Sequence, residues 1–401
     1  MRTLLAGAWV LGAVMAADVL ALAQEGGAVV VRSMGVSSGP VSSTGSLSRE
    51  TVLQIGEALT LDEIQLEVAL EMFKEFASER QTLGDRRQQE IEAARQEVED
   101  GDVSAMITQI KESTAAYQKA VEALEARFLD DVRAMLAGEQ AEAWPAAERV
   151  HRRAKHLPRL MRSEARVDLD ELVREELAEE RQEAASDLVE RWAVQVDGLL
   201  VDRARKADDI GGAGFEGGVF LMDGGDDPYE PLREIDGRIA AATRQAVRTL
   251  AGLLEDDAIE AAFLQRAYPR VYRQTDGERR LEAARSLVTL SDEQREQLDA
   301  AADQWQRDVG PARERWVAAE RAREEDDRLP PGVVVFVEGQ DPSDSDKARD
   351  AVRELDERLE ARMGSILTEQ QLTELPERVD RQAEGSLRAI GPGGESIRIR
   401  R

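Results

Sequence analysis

Residues 103–135 read VSAMITQIKESTAAYQKAVEALEARFLDDVRAM. Apolar or small side chains fall at Val103, Ile107, Ile110, Thr114, Tyr117, Val121, Leu124, Phe128 and Met135. The steps are three and four, broken only at Asp131, beside which Val132 stands. That period winds onto one stripe of a long α-helix. It recurs through Leu232, Ile235, Ile239, Ala242, Ala246, Leu250 and Leu253, and again through Val352, Leu355, Leu359, Met363 and Ile366. Another striped segment precedes each of these. The first carries Leu66, Leu70, Phe73 and Ala77, the second Val173, Leu177, Ala184, Leu188 and Trp192, the third Leu298, Ala302, Trp305, Val309, Ala312 and Trp316. The pairs predict an all-α protein of about three tandem antiparallel helical hairpins, spanning residues 58–156, 160–273 and 285–380. A joined bundle and a string of separate hairpins both fit the stripes, because a lone hairpin cannot bury its apolar surface and must share a seam.

The pairs are also repeats of one another. Each second helix closes on a similar phrase, Leu136-Ala-Gly-Glu-Gln140, Leu254-Glu-Asp-Asp-Ala258 and Leu367-Thr-Glu-Gln-Gln371, at spacings of 118 and 113 positions. A proline follows each, at Pro145, Pro269 and Pro376. The first helices open on Leu59-Thr-Leu-Asp-Glu63, Val167-Asp-Leu-Asp-Glu171 and Leu290-Ser-Asp-Glu-Gln294, where Thr60, Asp168 and Ser291 are the expected N-caps. Pro311 is expected to kink its helix. Between the helices of the second and third pairs lie 217–228 and 332–342, β-branched runs that each close on Asp-Pro. They read as hairpin-tip insertions with short strands.

Composition narrows the function. The chain has 401 residues, no cysteine, 4% aromatic residues and a net charge of −28. Such acidity excludes a nucleic-acid backbone as a general partner. The absence of cysteine excludes thiol chemistry, zinc–thiolate sites and disulfides. Residues 1–23 combine a basic start, an apolar run from Leu4 to Ala17 and the small-x-small Ala21-Leu22-Ala23. They read as a secretory signal peptide, which places the protein in the periplasm or otherwise outside the cytoplasm. The run is short for a membrane span, and no later segment approaches one. Residues 24–57 read as a flexible Gly/Ser-rich leader and 381–401 as a flexible basic tail.

No catalytic, cofactor or metal constellation emerges, and no enzyme is expected. His151 and His156 are five apart within a basic stretch, a spacing that places no two ligands on one helical face, and they read as a solvated helix end. Asp223-Gly-Gly-Asp-Asp227 lacks the alternating ligands and final Glu of a calcium loop. The surface candidates are Trp192, Trp305 and Trp316, read as core residues or as an apolar groove left open for a client. Arg149, Arg152, Arg153, Lys155, Arg159, Arg162 and Arg166 form a basic cluster that either docks an acidic partner or complements a helix C-terminus.

Leu367-Thr368-Glu369-Gln370-Gln371 is a full Leu-Thr-x-x-Gln phrase. Leu290 to Gln294 matches with Ser291 for Thr, and Leu136 to Gln140 at its ends. In these residues the chain resembles the LTxxQ-motif family of exported helical proteins, which includes the Spy/CpxP-like periplasmic chaperones and stress-response modulators. The resemblance implies a helical-hairpin fold, an extracytoplasmic site of action, self-association and a protein partner or unfolded client. A scaffolding role and metal-responsive modulation are the alternatives. Family members are typically single hairpins, whereas this chain strings about three together.

Overall fold

The structure, a computed structural model, describes residues 47–97, 103–211, 227, 229–326, 342–378, 386–390 and 396–400. The expected signal peptide and all but a remnant of the tip insertions lie outside these residues. The described chain is all-α apart from one short strand pair near its end. The helices are α1 (Arg49–Ala58), α2 (Glu63–Glu97), α3 (Val103–Ala134), α4 (Glu139–Glu142), α5 (Trp144–His156), α6 (Leu169–Glu176) and α7 (Glu179–Gly211). They continue as α8 (Glu230–Leu254), α9 (Ala258–Ala267), α10 (Pro269–Tyr272), α11 (Asp276–Arg285), α12 (Asp292–Asp326), α13 (Asp344–Ile366) and α14 (Glu369–Thr373). Strands β1 (Ser386–Ile390) and β2 (Ser396–Arg400) pair antiparallel. They fall within the segment expected as a loose tail.

Three departures have local causes. Residues 49–58 are helical where a loose leader is expected, because Ser48 accepts from the Thr51 N–H as N-cap and Val52, Ile55 and Leu59 are buried along one face. The first helix of the second pair is two helices, since Leu177 at φ −111° and ψ 145° is extended. At the opening of α2, Thr60 is not the cap. Its φ is 50°, and Asp62 caps by accepting from the Gln65 N–H at 2.8 Å. Asp168 and Ser291 do cap, the latter accepting from the Gln294 N–H. Helix α12 runs continuously through Pro311.

The chain divides into two compact units. The first holds residues 47–211 and 231–260 of those described, the second 227, 229–230 and 261–400. In the first, α2 and α3 lie antiparallel. Phe76 and Phe128 meet at 6.1 Å between ring centroids, and Arg127 reaches Glu79 further out. Helices α1 and α5 pack over this pair near its open end, with Val52, Ile55, Trp144 and Val150 joining the phenylalanines in one core. Each large side chain so buried contributes about 1.5–3 kcal/mol. Helix α5 also packs on α7, which runs antiparallel to α8 with rungs at Arg181–Asp256, Trp192–Thr243 and Arg203–Asp236. The first two pairs thus share one unit. In the second unit α12 and α13 lie antiparallel, α11 leans on both, and Leu281, Leu298, Trp305, Val309, Leu359 and Met363 form the core.

Candidate functional site

The Leu-x-x-x-Gln phrases come together in space. In the second unit, Thr368 caps α14 and Ser291 caps α12, each in a capping box whose third helical residue is the glutamine of its phrase. Gln371 Oε1 accepts from the Thr368 N–H at 2.9 Å, and Gln294 Oε1 from the Ser291 N–H at 3.0 Å. That leaves both Nε2 groups free to donate across the pair. Gln294 Nε2 donates to Gln371 Oε1 at 3.0 Å, and Gln371 Nε2 returns the bond at 3.3 Å. Gln294 Nε2 also reaches the Ile366 carbonyl at 2.9 Å, and Gln371 Nε2 the Thr289 carbonyl at 3.1 Å. Ile366 and Thr289 each precede the leucine of the opposite phrase. The arrangement is thus a reciprocal amide clasp that closes the open end of the α12–α13 pair. Leu290 and Leu367 lie buried beside it.

The same clasp closes α2 against α3. Gln65 Nε2 donates to Gln140 Oε1 at 3.0 Å, and Gln140 Nε2 to Gln65 Oε1 at 2.7 Å. Gln140 Nε2 also reaches the Thr60 carbonyl at 3.2 Å. Leu136 is half-buried next to it. The phrase on α2 is therefore Leu61-Asp62-Glu63-Ile64-Gln65, two residues beyond the one quoted from the sequence. Its signal was present as an Asp-x-x-Gln capping box. Ala137 offers no side-chain cap, and Gly138 turns the chain at φ 55°.

The α7–α8 pair closes differently. Arg181 Nη1 pairs with Asp256 at 2.5 Å while its Nη2 donates to the Leu254 carbonyl at 3.0 Å. Asp256 also accepts from the Ala258 N–H, and this bond, then the Arg181 bond, holds its carboxyl below the usual range. An ion pair here replaces the two amides.

The tryptophans and arginines are largely turned inward. Trp192 is buried, its indole N–H donates to Thr243 at 3.1 Å, and the Arg153 guanidinium lies 5.6 Å from its ring centroid. Trp305 is buried with its N–H on Glu278 at 3.0 Å, an acid that Arg313 also holds at 2.9 Å. Trp316 is half-buried and donates to Glu320 at 3.2 Å. Core packing, not an open groove, accounts for Trp192 and Trp305. Five members of the basic cluster are bonded within the fold. Arg149 pairs with Glu190, Arg152 with Asp197, Arg153 with Asp168 and Asp170, and Lys155 with Glu125. Arg166 donates to the Leu160 carbonyl, and Arg159 is exposed.

The two histidines are not a solvated helix end. His151 Nε2 lies 3.8 Å from the buried Glu125, and His156 is half-buried. Burial, then Lys155, Arg159, Arg203 and His151, push the His156 pKa down to about 4. Burial acts to raise Glu125, but the nearby His151 imidazole and the Lys155 ammonium bonded at 3.0 Å outweigh it and leave its carboxyl below the usual range.

Among the described residues, no group of three or more His, Asp or Glu side chains is placed to hold a metal ion. No helix among them is long and apolar enough to cross a membrane. No family model, curated protein or solved structure matches the chain.

Proposed function

We propose that this chain is an exported, extracytoplasmic helical module that binds other polypeptides without ATP, as a chaperone or an envelope-stress modulator, and carries out no reaction of its own. The observation that supports the reading is the α2–α3 pair. Its helices run 35 and 32 residues. Two helices side by side cover only the stripe between them. Leu83, Ile91, Tyr117 and Val121 accordingly keep part of their surface in solvent. A partly wetted apolar row of this length suits transient contact with an unfolded segment. The signal-like residues 1–23 support the location, and the LTxxQ resemblance supports the class. The test is light scattering of an aggregating client without ATP. Suppression near a stoichiometric ratio is expected, and aggregation unchanged with several unrelated clients would sink the reading.

A scaffold that assembles with itself or an envelope partner is the second reading. It is favoured by the satisfied indoles of Trp192 and Trp305 and by the internal pairing of Arg152 and Arg153. A stable oligomer in sedimentation that binds no apolar dye supports it over the first.

A further inference from the structure

On α2, Ile64 leaves 74% of its surface in solvent and Val68 41%. With Leu61 and Met72, half-buried at the edge of the core, they form one row at steps of three and four. The fold does not require this row. Gln65, Arg181 and Gln294, which close the three helix pairs, set those pairs in register. The residue before each is Ile64, Glu180 and Glu293. Three places after each stand Val68, Ala184 and Gln297, all exposed. Four places after stand Ala69, Ala185 and Leu298, all buried. The pattern of burial is thus the same in the three pairs, and only the first sets large apolar side chains in the two exposed places.

A column of acids runs beside the row. Glu63, Glu67, Glu71 and Glu75 follow at steps of four on the adjoining face, and all are exposed. Lys74 is the only basic residue between 61 and 79, and it reaches Glu71 at 2.7 Å. We propose that this face docks a cationic amphipathic helix. Successive members of the row and of the column climb α2 together, about 6 Å at each step of four. A partner that meets both carries an apolar and a basic column side by side with the same rise. A helix with apolar residues at i and i+4, flanked by Lys or Arg at the same spacing, does so. An anionic lipid surface, or a second copy of this face, would set like charges against the acids. An uncharged apolar segment would cover the row and leave the neighbouring carboxylates partly desolvated and unpaired. Cationic amphipathic helices otherwise settle on anionic lipid surfaces, so the row is a competing site for them. It lies apart from Leu83, Ile91, Tyr117 and Val121, and it holds its ligand whether or not the chain suppresses aggregation.

The test is fluorescence anisotropy of a labelled Leu/Lys peptide of about 18 residues, patterned as an amphipathic helix and titrated with the chain. Saturable binding that weakens as salt rises is expected, with no binding of a Leu/Glu peptide of the same pattern. I64S with V68S should lower the affinity at least about tenfold. E67Q, E71Q and E75Q together should lower it about threefold to tenfold. All five side chains are exposed, so far-UV helicity should stay constant. E293Q, E296Q and D303N on α12 remove as many exposed charges and should leave the affinity unchanged. An equal loss in the α12 variant, or no loss in I64S with V68S, overturns the proposal, because general acidity then holds the peptide. Absent binding, or equal binding of the Leu/Glu peptide, overturns it too. Client suppression is read separately, so this face and the chaperone reading can fail independently.

Discussion

At the residue scale, the glutamine amide on the third position of a helix does two jobs at once. Its oxygen completes the capping box, and its nitrogen still has two hydrogens for the opposite phrase. Q371A removes the acceptor for the Thr368 N–H and both donations across the clasp. It is expected to cost about 1–3 kcal/mol in a denaturant melt of the second unit. Q294A combined with Q371A should cost less than the sum, since each single variant already breaks the shared bonds. Strict additivity would show the amides are not coupled. The His156 shift has a definite sign. Between pH 6.5 and about 4 the unfolded chain takes a proton that the folded chain refuses, so stability falls as pH falls across that window. Glu125 acts in the same direction at lower pH, because its ionised form is the one the fold prefers. H156Q should flatten the slope of stability against pH between 6.5 and 4. A slope equal to the parent's would remove His156 as its cause.

At the element scale, helix ends and close approaches decide more than stripes do. A Cβ on Gly277 would lie 2.4 Å from the Asp356 carboxylate, and the Gly277 N–H donates to that group at 3.0 Å. Burial foremost raises the Asp356 pKa, despite bonds from Thr275 and Gly277. G277A should therefore destabilise the second unit by about 1–3 kcal/mol through displacement of that contact. Gly84, mid-way along α2, meets nothing within 4 Å. G84A should instead stabilise by about 0.5–1 kcal/mol, the helix preference of Ala over Gly. Thermal melts of the two variants should move in opposite directions. The stripe on 103–135 was legible because it continues for nine turns. The helix at 49–58 was not, because ten residues following a Ser/Gly-rich stretch carry too few periods to outweigh that composition, and burial under α5 completes them.

At the scale of the whole molecule, three helix pairs become two compact units, because α1, α5 and α6 join the first two pairs. Two units with separate cores predict two unfolding transitions. Q371A should shift one of them, and W192F, which strands Thr243 without its indole partner, the other. A single transition moved equally by both variants would mean that the units unfold together.

The sequence by itself determined the helical class, the long stripes, the repeated Leu-x-x-x-Gln phrases and the Ser291 and Asp168 caps. All of these follow from spacing within about four residues, which is the range of a helical turn. Only the tertiary structure decided that Gln65 meets Gln140 and Gln294 meets Gln371, that Arg153 and Trp192 stack inside, and that Arg149 and Arg152 of the basic run are held by acids 41 and 45 positions away at Glu190 and Asp197. A charge or an indole carries no mark of which face will be covered. That depends on partners distant in sequence, whose positions are fixed only when the helices pack.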